Sequence, residues 1–148
     1  MSADCRQCML LGALLTAAAT VLFVVIASAQ GLSLSVFGAS KHSKSGYCEV
    51  NPGLALNYDL GRDTRLITGF YRNSLCRETK LAGVVWCGLR LGPMCFGMGL
   101  IGLTGYSKQT IFIPLPTASY EGKGYAIDFV GGTDGKQSVI GMGLRFPW

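Results

Sequence analysis

The stretch SVIGMGLRFPW, residues 138–148, decides how this chain reads. Ile140, Met142, Leu144, Phe146 and Trp148 fall on one parity, while Gly141, Gly143 and Arg145 fall on the other. In extended backbone, successive side chains point to opposite faces. One face is therefore bulky and apolar, and the other is nearly bare apart from an arginine. A soluble sandwich rarely ends a strand on such a row. A barrel turned inside out accepts it, with bulky side chains toward lipid and small or polar ones toward a narrow interior.

The same alternation recurs in GLSLSV (31–36), GLALNYDL (53–60), CFGMGL (95–100) and YAIDF (125–129). Period-two patterns of this kind argue for strands with two unlike faces. Glycine-rich and charged turn signals separate them. Eight strands are expected near 31–41, 52–60, 64–74, 79–90, 94–104, 109–117, 123–130 and 138–148. The third and fourth alternate poorly, so their faces stay unassigned. Strands of about ten residues suit a tilted bilayer crossing, and closure is required because an open edge in hydrocarbon leaves backbone groups unsatisfied. The expected class is all-β: an eight-stranded antiparallel up-and-down transmembrane β-barrel, preceded by an N-terminal signal peptide. An even strand number puts both termini on the periplasmic side. Segments 42–51, 75–78, 105–108 and 131–137 then face outward, and turns near 61–63, 91–93 and 118–122 face inward. In TIFIPLP, Pro114 and Pro116 cannot donate ladder hydrogen bonds, so the strand either loosens there or ends early.

Composition agrees with an envelope protein. Charged residues make up 14% of the chain, well under the soluble average of roughly 25%. The formal charge is +5, but the lysines and arginines are scattered, with no basic helix or aromatic-interleaved stripe. Nucleic acid is therefore not expected as a partner. From Met9 to Ala29 there is no charge, and the run closes on Ala27-Ser28-Ala29. Residues 1–29 read as a signal peptide, with an uncleaved membrane anchor as the alternative. Residues 30–148 form the barrel. Cys-x-x-Cys occurs only in the first segment, so no metal or cofactor is expected.

Several stretches resemble the lipid A palmitoyltransferase family of bacterial outer-membrane barrels. YCEVNPGLALNYDL, FYRNSLCRETKLAGVV, IFIPLPTASYE and MGLRFPW match it in order across residues 42–148. The resemblance implies acyl transfer from phospholipid to lipid A at the bacterial outer membrane, by a monomeric barrel. It also implies catalytic residues on the first outer loop and at the end of the third strand. His42, the only histidine, takes the base position, and Ser74 the nucleophile position. Asn73 stands where the family has an aspartate, so it can orient an imidazole but supplies no charge. The competing reading is a non-catalytic barrel with a structural or lipid-binding role.

In the expected topology His42 and Ser74 share the outer rim with Lys41, Arg72 and Arg77. Those three cations are candidate contacts for the phosphates of phospholipid or lipopolysaccharide. Four cysteines remain after residue 29. Cys48 and Cys76 both fall on outer loops, and Cys87 and Cys95 flank the LRLGP turn, so each pair is a candidate structural disulfide.

Overall fold

The computed structural model describes residues 31–133 and 138–147. The signal-peptide reading of residues 1–29, and Trp148 with its place in the terminal row, lie outside the described residues. The eight strands are β1 (Leu32–His42), β2 (Val50–Asp59), β3 (Thr64–Arg72), β4 (Glu78–Leu91), β5 (Met94–Leu103), β6 (Ile111–Glu121), β7 (Ala126–Thr133) and β8 (Ser138–Pro147). Each pairs antiparallel with its sequence neighbour, and β1 pairs with β8 to close the barrel. Every strand pairs on both sides for at least part of its length, which leaves no wholly free strand for edge-to-edge association.

Parity sets what faces where. Leu54 and Leu56 on β2, Phe70 on β3, Leu100 on β5 and Met142 and Leu144 on β8 are exposed on the outer surface. Inward positions divide by height. Toward the rim of short turns the lumen is polar, with Ser33, Ser35, Asn57, Ser119 and Arg145 all buried. Toward the rim of long loops it is apolar, built on Leu81, Ile101 and Leu103 with Phe37, Ile113 and Leu115 against them. The expectation of a small, polar interior therefore holds for one half only. This also explains the unreadable alternation of β3 and β4. Both faces of LAGVV carry apolar residues, because its inward side belongs to the apolar half.

A narrow lumen needs gaps for its large residues. Inward glycines supply them across the ladder: Gly53 lies opposite Tyr71, Gly69 opposite Leu81, Gly83 opposite Ile101 and Gly99 opposite Val85. Such small–large alternation lets side chains fill an eight-stranded barrel.

Two irregularities change parity. Register shifts between Phe37 and Ala39 on β1, and between Cys87 and Leu89 on β4. An extra residue in one strand moves everything beyond it to the other face. Past Gly38 the inward set changes from Ser33, Ser35 and Phe37 to Ser40 and His42, which carries the histidine indoors at 8% exposure. Past Gly88, Arg90 turns inward opposite Cys95.

That second break completes an ion network in the polar half. Arg145 Nε donates to Asp128 Oδ2 at 3.0 Å, Arg65 lies 3.5 Å from the same carboxylate, and Ser119 Oγ donates to Asp128 Oδ1 at 2.5 Å. Arg90 pairs with Glu121 and lies 3.6 Å from Asp63. Three arginines thus share three carboxylates, the condition under which enclosed charge is tolerated.

β6 differs from its expected span. It does not end at the prolines but runs to Glu121, paired with β5 along its whole length from Ile111 to Tyr120. Its ladder with β7 covers only Thr117 to Glu121. Glu121 N donates to Pro93 O on the β5 side, so the even-numbered residues of β6 turn their N–H positions toward β7. Pro114 and Pro116 are even-numbered and have no N–H. The missing donors open one edge of the strand rather than breaking it.

The glycine contacts predict a paired outcome. A Cβ on Gly69 would overlap the backbone of Leu54 and Ala55, whereas nothing lies within 4 Å of one on Gly38. Gly69→Ala is expected to lower barrel stability by about 1–3 kcal/mol and Gly38→Ala to leave it within about 0.5 kcal/mol. Urea titration of the heat-modifiable folded band on gels measures both.

Candidate functional site

The long-loop rim collects the candidate residues. Three connections end there, at 43–49, 73–77 and 104–110, against shorter ones at 60–63, 92–93 and 122–125. Among the described residues this rim carries six cations, Lys41, Lys44, Arg72, Arg77, Lys80 and Lys108, against Glu49 and Glu78. The three expected phosphate contacts lie on it and are exposed. Arg72 Nε donates to Cys76 O at 3.4 Å, and Lys41 Nζ lies 2.9 Å from Glu49.

The loops bearing His42 and Ser74 are fastened together. A disulfide joins Cys48 to Cys76 with a Cα separation of 5.6 Å, and Cys48 N donates to Ser74 O at 2.8 Å. Asn51 adds a clamp across β2. Its Nδ2 donates to Cys48 O at 3.2 Å and Arg72 O at 3.0 Å, while its Oδ1 accepts from Ser40 Oγ at 2.5 Å. Counting residues along the sequence gave no hint of Asn51, because its partners lie on β1 and β3. The second disulfide, Cys87–Cys95, staples the β4–β5 hairpin at the other end, with a Cα separation of 5.8 Å.

His42 ends β1 with its ring stacked on Tyr47, centroids 4.7 Å apart and planes 15° from parallel. Its Nδ1 is buried and has no hydrogen-bond partner. Asn73 is fully buried. Its Oδ1 accepts from Leu75 N at 2.9 Å and Arg77 N at 3.0 Å, and its Nδ2 donates to Thr79 Oγ1 at 2.9 Å. This is the local turn chemistry of Asn, and it shapes the 73–77 loop. The amide is thereby turned toward its own loop. No hydrogen bond joins the Ser74 hydroxyl, the His42 ring and Asn73 in this structure.

No family model matches the chain, and neither does any curated protein.

Likeness to the palmitoyltransferases therefore rests on the ordered sequence stretches quoted above alone. Glu49 is the residue that sequence reasoning passed over. Hydrogen bonding from Lys41 holds its carboxyl below the usual carboxylate range, with further lowering from the charge of Lys41, the backbone amide of His42 and the charge of His42, against an opposing contribution from burial.

Asn73 yields a direct expectation. Asn73→Ala leaves two loop N–H groups without their acceptor, at a cost of about 1–3 kcal/mol. Amide exchange at Leu75 and Arg77 should then accelerate, and the thermal midpoint should fall. Ser74→Ala should change neither.

Proposed function

We propose that this chain is a bacterial outer-membrane β-barrel that transfers an acyl chain from phospholipid to lipid A. The observation that carries the reading is the opening between β6 and β7. Among the described residues the β6–β7 ladder stops at Thr117 and Val130, and Ile111, Ile113 and Leu115 line the apolar half of the lumen on the β6 side beyond it. In hydrocarbon, unpaired backbone is tolerated only where it meets protein or a cavity. Pro114 and Pro116 remove two N–H donors from the edge that a lipid tail would cross. The exposed outward row suits a lipid-facing band, and the basic long-loop rim suits the phosphates of phospholipid and lipopolysaccharide. Residues 1–29 would direct export as a signal peptide, and the envelope permits both disulfides.

In the reaction, the Ser74 hydroxyl attacks the ester carbonyl of the donor while the His42 imidazole takes its proton. Collapse of the adduct expels the lysophospholipid alkoxide, which recovers the proton from the imidazolium. A lipid A hydroxyl then takes the acyl group by the same exchange in reverse. No hydrogen bond joins His42 and Ser74 here; the disulfide keeps their loops on one rim, and transfer requires the two side chains to meet there.

A second reading, a non-catalytic lipid-binding barrel, is favoured by one observation. Asn73 spends its amide on its own loop.

Lipid A mass after expression in a host lacking its own transferase separates the two. Transfer predicts an added acyl chain that disappears in Ser74→Ala. It also falls at least about tenfold in Pro114→Ala/Pro116→Ala, which restores two ladder donors. An unchanged lipid A profile from a folded, membrane-inserted barrel overturns transfer and leaves the non-catalytic reading.

A further inference from the structure

An imidazole that takes a proton from serine becomes a cation, and a neighbouring carboxylate ordinarily stabilises it. Asn73 carries no charge, so that anion must come from elsewhere if His42 acts as a base. We infer that Glu49 supplies it, acting as a positioning and charge-stabilising residue for His42. The inference rests on the acyl-transfer reading, since it assigns a role within that reaction.

Three observations converge. Ser40 N donates to Glu49 O at 2.8 Å, which lays Glu49 alongside the last turn-side residues of β1. Glu49 and His42 line one open hollow under the 41–49 loop, together with Tyr47 and Lys41. The carboxylate also faces the His42 backbone amide and feels the charge of its ring, and it stays ionised under the pull of Lys41. The bulge at Gly38 is what makes the meeting feasible. Unbroken alternation through Gly38 would instead put Lys41 indoors and His42 outside, away from the hollow.

Among the described residues, few charged or titratable groups surround His42. Lys41, Lys44, Tyr47 and Glu49 come from its own loop. From β8, Val139 lies opposite His42 and Ser138 bonds to Ser43, neither bearing charge. Glu49 is the single anion among these described residues. Because it is half-exposed, its effect on the ring should weaken as salt rises.

His42 is the only histidine, so its ring protons can be followed by NMR in the full chain without assignment by mutation. An adjacent carboxylate favours the protonated ring, and an adjacent ammonium disfavours it. The pH-dependent movement of the His42 resonances should shift to lower pH in Glu49→Gln and to higher pH in Lys41→Met. In parallel, kcat for transfer should fall at least about tenfold in Glu49→Gln with KM for phospholipid unchanged, its acid limb should move to lower pH, and Glu49→Asp should recover part of the rate. Resonances that titrate identically in wild type and Glu49→Gln overturn the inference. If those resonances shift as stated while no protein transfers acyl chains, the acyl-transfer reading fails, and Glu49 as its charge-stabilising residue fails with it, leaving only the electrostatic contact.

Discussion

The barrel is arranged around closure of its backbone ladder; in hydrocarbon, a backbone group left unpaired would cost several kcal/mol. Eight strands close on themselves, every neighbour pairs, and the ladder lapses along one edge of one strand. There the sequence places two prolines, which have no N–H to strand. The same constraint frees the side chains. With backbone polarity confined to the ladder, the outer parity can be bulky throughout, and the inner parity can hold charge in one half and an apolar core in the other.

Much of this was legible in residues 31–148. β8 declares its faces because Gly141, Gly143 and Arg145 alternate cleanly with Ile140, Met142 and Leu144. β2 and β5 do likewise. β3 and β4 do not, since Ile67, Leu81 and Val85 point into an apolar half-lumen and leave no contrast between faces. β6 ran past its expected end for a local reason: an N–H faces only one neighbouring strand, and at Pro114 and Pro116 that neighbour is β7, so the ladder to β5 never needed it.

The candidate site was less readable, and two glycines account for much of that. Counting by twos from Ser33 on β1 sends His42 outward, and counting from Leu81 on β4 leaves Arg90 at the surface. The bulges at Gly38 and Gly88 reverse both. Nothing in the local sequence distinguishes these glycines from the inward ones that make room for Tyr71 or Leu81. Asn73 shows the opposite difficulty. Its position at the end of β3 was clear, but its hydrogen bonds belong to the loop it begins. Asn51 and Glu49 act across strands, where sequence spacing carries no information.

Whether the bulky parity truly meets hydrocarbon decides the account, and Trp86 tests it most directly. It lies on that parity of β4 and is 53% exposed. With Trp148→Phe in place, Trp86 is the sole tryptophan. In vesicles whose acyl chains carry bromine near mid-chain, its fluorescence should be strongly quenched, while aqueous acrylamide should quench it little. Efficient acrylamide quenching without bromine quenching, from a folded barrel, would put that face in water and contradict the membrane assignment.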